Sequence, residues 1–441
     1  MRKKRIILVA GITVMVLGLT GCNDKKVVYN KDTEVASNSD SENYEAGTTL
    51  KYKLGIGDTS WKEVVETEGG TVDLKVKIIV PEVENMYTLV ASKKYLTNDD
   101  KKRIMETIVD ADSIIQSREK YVTKEEIAES IQATQNDLAE SELDEIGAMY
   151  LEKYIEYLQE QYEGAISEAD FTEDAGDYSG NVYEGTKDGE TYYFDFFVDE
   201  RRNRSAFSIE RKMDGDYVEP MTNSGMENKC KYTEDEAKEM ALSFCEKLGL
   251  PDMQVVYVSS LEMFSDGDID NKVPEGYQLY LVRDIEGVSA VGQCIYYNDL
   301  GEEYSYNDLP YSREVVTIGI DSKGLLFLHS TGLLTDGELK NPVHLLGMEQ
   351  IKEVVRQNLS NQLDGWYKLE LKYLRIKDGD KEDSFCFLPT WVYMYDNYVG
   401  NDFDYMSIDA LYINAIDGTV IDIVEDGAFT MQTSKIFLEY E

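Results

Sequence analysis

The spacing of apolar and polar residues changes several times along this chain, and each change marks an element. Residues 71–81 read "TVDLKVKIIVP": Val72, Leu74, Val76 and Ile78 alternate until Pro81, which predicts a strand. Three helices are predicted next, at 97–115, 123–138 and about 141–162. The first opens on Thr97-Asn98 with acids in its first turn, and the second carries the capping box Thr123-x-x-Glu126. "ETYYFDFFVDE" (190–200) and "RSAFSIERKM" (204–213) read as the strands of a hairpin. The best-marked helix is 232–251. Thr233 and Glu236 form its capping box, and Ala237, Met240, Ala241, Phe244, Cys245 and Leu248 share one face. Gly249 and Pro251 end it.

From that helix on, the order of elements repeats. "MQVVYVSS", "GYQLYLVRDI" and the hairpin "VVTIGIDSKGLLFLHS" (315–330) follow the first helix. A second helix, "GMEQIKEVVRQNLSNQL", sets Ile351, Val354, Val355 and Leu359 on one side. "YKLELKYLRI", "FCFLPTWVYMY" and the hairpin "ALYINAIDGTVIDIVE" (410–425) come after it. Both hairpins turn at glycine, Lys323-Gly324 and Asp417-Gly418, where positive φ is needed. The fold class that follows is α+β: a mostly helical or mixed N-terminal domain over 49–225, then two tandem helix-plus-antiparallel-sheet modules over 231–335 and 340–441.

The N-terminus has a different pattern. Residues 2–5 are "RKKR", and Ile6 to Leu19 carry no charge. That run is shorter than the ~20 residues that span a bilayer, and with its basic start it reads as a signal peptide over 1–21. Residues 22–48 are polar and without period, the pattern of a disordered tether.

Charge narrows the partners. With 86 acidic and 44 basic residues the formal net charge is −42. A field of that sign repels phosphate backbones and anionic headgroups, which excludes nucleic acid as a partner and leaves divalent cations or a basic partner as the attracted classes. Cys230, Cys245, Cys294 and Cys386 are far apart and form no C-x-x-C, so they do not read as a stapled scaffold; whether any of them pair is left open. Cys245 lies on the apolar face of its helix and reads as a small core residue.

Catalytic constellations are scarce. His329 and His344 have no ligand-spaced companions, and neither G-x-S-x-G nor H-E-x-x-H occurs. Gly332-x4-Gly337 begins like a P-loop, but Glu338 stands where lysine is required. Asp266, Asp268 and Asp270 alternate as in an EF-hand loop; Asn271 replaces the glycine and Tyr277 the terminal glutamate, so weak calcium binding is the most they predict and no other cofactor is implied. The loop 395–405, "YDNYVGNDFDY", mixes carboxylates with aromatics and is a further metal or sugar candidate.

"LTGC" at 19–22 resembles the lipobox of bacterial lipoproteins. The resemblance implies cleavage between Gly21 and Cys22 and a lipid on the Cys22 thiol, anchoring the chain at the outer face of the cytoplasmic membrane. "YINAIDGTVID" and "LPTWVY" make the C-terminal half similar to PepSY-like modules, which implies inhibition or regulation of exported proteins. The layout as a whole resembles a group of uncharacterised lipoproteins from clostridial gut bacteria. The expectation is a non-enzymatic lipoprotein that binds or regulates a protein or peptide. The alternatives are a cell-wall glycan hydrolase using two carboxylates, or a small-solute sensor with an apolar cleft lined by tyrosines and Trp366 or Trp391.

Overall fold

A computed structural model of the chain describes residues 48–67, 70–118, 122–140, 145–199, 204–213, 216–221, 227–265, 273–292, 314–359, 365–379, 381, 383–396 and 410–421. The predicted signal segment, Gly21, Cys22 and nearly all of the tether lie outside these residues.

A short helix α1 (Leu50–Lys53) leads into β1 (Ser60–Thr67), β2 (Gly70–Ile79) and β3 (Leu89–Ser92). Helix α2 (Asn98–Ile108), β4 (Ile115–Gln116), helices α3 (Lys124–Glu140) and α4 (Glu145–Gly164), and strands β5 (Val182–Lys187), β6 (Glu190–Asp199), β7 (Arg204–Arg211) and β8 (Asp216–Met221) follow. Helix α5 (Glu234–Lys247) then opens the run β9 (Met253–Ser265), β10 (Val273–Ile285), β11 (Val288–Ser289), β12 (Val315–Asp321) and β13 (Gly324–Thr331). After β14 (Glu338–Leu339), helix α6 (Met348–Gln357) opens β15 (Tyr367–Lys377), β16 (Ser384–Tyr395), β17 (Leu411–Asn414) and β18 (Val420–Ile421).

The class is α+β, with few helices and large, mostly antiparallel sheets. Each predicted repeat is a helix followed by a sequential antiparallel meander: β9-β10-β12-β13 in one, β15-β16-β17-β18 in the other. The region 49–225 is less helical than the sequence pattern implies, because it supplies β1 to β8. These strands complete both meanders instead of forming a sheet of their own. β2 pairs in parallel with β15, and β3 pairs with the start of β16. β7 pairs with β13, and β8 with β9. Among the described residues this gives a 10-stranded sheet of β4 to β13 and an 8-stranded sheet in which β1 to β3 join β14 to β18; the chain crosses between them at 92–115 and 331–338, and the positions 225–231 lie within the 10-stranded sheet.

Helix starts follow their caps. Thr97, Thr123 and Thr233 each accept the backbone N–H three residues on, while Asp100, Glu126 and Glu236 accept the N–H of the respective threonine. Helix α2 stops at Ile108, short of the predicted 115. Val109 is extended, and the chain turns so that Ile114 enters the core and Ile115 begins β4.

The 10-stranded sheet buries one face under α2 and α5. Ile104, Met105, Ala237, Ala241 and Cys245 meet Phe194, Phe207, Ile209, Leu279, Leu281, Ile318 and Leu328 there. The 8-stranded sheet buries one face with α1 and α6, where Trp391 is fully enclosed and Tyr367 stacks on Tyr393 at 5.0 Å. The sheets meet where the Val291 N–H, just after β11, donates to the Tyr373 carbonyl of β15 at 2.7 Å. A buried ion pair closes this joint. Arg283 holds Glu314 through two nitrogens and donates to the carbonyls of Thr335 and Asp336, and its guanidinium lies 5.6 Å from the Phe387 ring.

Candidate binding face

Strand alternation that turns one set of side chains toward α2 and α5 turns the other set to the opposite face of the 10-stranded sheet. Register aligns that set into lateral rows. Tyr257 of β9 stands opposite Tyr280 of β10, then Thr317 of β12, His329 of β13, Ser208 of β7, Asp195 of β6 and Val182 of β5. A neighbouring row runs Ser259, Gln278, Gly319, Phe327, Glu210, Tyr193 and Glu184 across the same strands.

Parts of this face are open to solvent, although Tyr193, Ser259 and Gln278 are buried. The His329 and Glu210 side chains are 48% and 46% exposed and lie 3.4 Å apart. Phe197, at the end of β6, is 51% exposed. Aromatic rings recur along the face: Tyr257 and Tyr280 at 5.9 Å, Phe327 and His329 at 5.2 Å. The Lys212 ammonium sits 5.8 Å from the centre of the Tyr193 ring. Gly319 leaves room for Phe327, whose ring would stand 2.4 Å from a Cβ there. Rings and carboxylates on a face seven strands wide suit an extended ligand.

The groove that opens beside β3 and β14 is a poorer candidate. It holds about 640 Å³ and is lined by Ser92, Thr335, Glu338, Lys381, Asp383 and Ser384, with no aromatic ring. The cleft imagined for a solute sensor is not formed by the tryptophans: Trp391 is in the core, and Trp366 is half-buried beneath the Lys62 ammonium.

Other sequence-predicted residues scatter. Cys22, Cys294, Asp266, Asp268, Asp270 and most of the 395–405 loop lie outside the described residues. His344 is exposed before α6, fifteen residues after His329 on β13. Gly332 and Gly337 have positive φ and lie on the strap from β13 to β14. Cys230, Cys245 and Cys386 carry no disulfide, and burial pushes the Cys245 and Cys386 thiols up to about 12. Among the described residues no group of three or more His, Cys, Asp or Glu is placed to hold a metal, and no helix is long and apolar enough to cross a membrane.

Known proteins add little to this geometry. No family model and no curated protein matches the chain. One solved structure, that of an uncharacterized protein from Eubacterium rectale, is similar at a TM-score of 0.39 and 13% identity, over 84% of this chain and 95% of that one. At that score the likeness carries no argument.

The residues of the binding face, apart from His329, were not singled out in the sequence. Alternation in "YYFDFF" and "SIER" places Tyr193, Asp195, Ser208 and Glu210 on the sheet face opposite Phe194 and Ile209. Only the pairing of β7 with β13 shows that they join Thr317 and Tyr280.

Proposed function

We propose that this chain is an extracytoplasmic lipoprotein, held at the outer face of the cytoplasmic membrane by a lipid on Cys22, that binds a protein or peptide and catalyses no reaction. Its helix-led meanders are read as PepSY-like modules with a regulatory role. The observation that supports binding is the row from Tyr257 to Val182, seven side chains wide and built from three separate stretches of chain. A surface of that width suits a macromolecular segment better than a small solute. The lipobox supports the address.

Two experiments test the reading. Labelled fatty acid in the native host should enter the wild-type chain and not Cys22→Ala. A photo-crosslinking residue at Thr317 should capture a discrete partner in intact cells, and one at exposed Tyr52, on another part of the surface, should not capture it. Equal capture from both positions, or hydrolysis of cell-wall glycan abolished by changing one carboxylate, overturns the reading.

A further inference from the structure

We infer that the free edge of β1 is a contact between two copies of this chain, in which one β1 pairs antiparallel with the other about Val64. This edge belongs to the 8-stranded sheet and is separate from the candidate face of the 10-stranded sheet.

The ends of the sheets single out β1. Their terminal strands are β1 and β18 in one sheet, β4 and β8 in the other. β4 and β18 are two residues long, and β8 carries Pro220, which has no N–H to give a neighbour. β1 runs from Ser60 to Thr67 without proline, and its register with β2 has no bulge. Among the described residues β2 is its only strand neighbour. A long, regular edge of this kind is a template for another strand.

Self-complementarity identifies that strand. Trp61 is buried on the side of α6, so alternation sets Lys62, Val64 and Glu66 on the opposite face, where all three are exposed. Val64, in the middle of the strand, is 65% exposed. Outward N–H and C=O groups alternate along an edge, and antiparallel pairing sets them opposite outward groups of the other strand. β1 can therefore meet its copy only in registers centred on a residue. Centred on Val64, that valine meets itself, Lys62 faces Glu66 of the second copy, and Glu66 faces Lys62 of the second copy. Opposite charges across two strands attract and like charges repel. Registers centred on Lys62 or Glu63 set like charges face to face, and one centred on Val65 sets Val64 against Glu66. The Val64 register also gives a carboxylate to Lys62, whose ammonium lies 5.0 Å from the Trp366 ring.

The local charge permits the contact. The whole chain carries −42, which opposes self-association. Residues 60–79 are nearly balanced: Lys62, Lys75 and Lys77 stand against Glu63, Glu66, Glu68 and Asp73. Exposed charges farther off than about 10 Å are screened at about 0.1 M salt, so this balance governs the edge. One strand from each copy is a small interface, and the dimer it makes is weak and reversible.

Sedimentation of the chain carrying Cys22→Ala, from about 5 to about 500 μM, should show a concentration-dependent dimer. K62E and E66K each set like charges opposite one another and should weaken it about tenfold. The double variant K62E/E66K sets opposite charges face to face again and should recover the wild-type affinity to within about threefold, which separates a lost contact from a lost fold. V64C places two thiols across the two-fold axis, at a Cβ separation of about 4.5–5.5 Å, and mild oxidation should link them between chains, in solution and on native cells. E66C should not link, because its copy lies four residues, about 13 Å, further along the strand. Peptide mapping distinguishes the 64–64 bond from bonds to the natural cysteines. A monomer at every concentration, a double variant as weak as the single ones, or equal linking of V64C and E66C overturns the inference. V64C linked on cells to a different protein overturns the choice of a second copy as the occupant.

Discussion

The two helix-led meanders share an order of elements and differ in what they bury. The first, α5 with β9, β10, β12 and β13, encloses charge: Arg283 with Glu314 at the joint, and Arg211 with Asp321 at the hairpin end, where the Leu325 carbonyl also accepts from Arg211. The second, α6 with β15 to β18, encloses rings on its helix side: Trp391, Tyr367, Tyr373 and Tyr393. The difference follows from how each meander is completed. N-terminal strands flank the first at both edges, and its hairpin is locked to β7 through Arg211. The second gains β2 in parallel at one edge, and its large side chains fill the space under α1 and α6.

Removing one partner of a buried ion pair should break the first meander most. Glu314→Ala leaves Arg283 enclosed without a counter-charge, and denaturant unfolding should show a loss of about 3–5 kcal/mol. Adding Arg283→Met should recover most of it. Trp391→Ala should cost the second meander about 3–5 kcal/mol through its cavity, and no change of charge should rescue it. If Arg283→Met rescues nothing, the contrast between charge and ring packing fails.

Overpacking comes next. Gly319→Ala places a methyl against the Phe327 ring and should cost about 1–3 kcal/mol, relieved in the double variant with Phe327→Leu. Helix caps give a smaller contrast. Thr233→Ala at α5 should cost about 1 kcal/mol, whereas Gly347→Ser at α6, where only Gln350 caps by accepting the Gly347 N–H, should add a few tenths. Thermal melts of each variant check both.

Acid should separate the helices further. The Thr123 backbone N–H, reinforced by Arg118, lowers the Glu126 carboxyl to about 2, below its ordinary 4.5. A depressed carboxyl stabilises the fold above its unfolded value and loses that effect as pH falls through its folded value. Protection factors of the amides at the start of α3, corrected for the intrinsic pH dependence of exchange, should therefore fall between about pH 4.5 and about pH 2. The start of α5 should respond in the same direction, because hydrogen bonds from Thr233 also hold Glu236 low. The start of α6, capped by neutral Gln350, should not respond.

Much of the local structure could be read from the residues. The capping threonines mark the starts of α2, α3 and α5; glycines mark the turns of the 324 and 418 hairpins; and the alternating runs gave β2, β6, β7, β12 and β13. The unreadable part was lateral. Alternation at Val76 or Ile209 fixes which face a side chain takes, but nothing in it names the neighbouring strand, since β2 finds β15 and β7 finds β13 across long stretches of chain. The candidate face suffered most, because it exists only once those pairings are made. Trp391 misled for a related reason: a ring in an alternating strand faces the core or a cleft with the same spacing, and only helix α6 above it decides.

Pairing over such distances also sets an order of events. Tyr87 and Tyr373 are 286 residues apart, and the Tyr87 N–H donates to the Tyr373 hydroxyl beside the 8-stranded sheet. At roughly 5–20 residues per second, a ribosome finishes Tyr373 on the order of 15–60 s after Tyr87. β2 finds β1 at once but waits for β15, so the newborn chain carries its other edge unpaired through that interval. Assembly of the 8-stranded sheet waits until β15 to β18 have been made.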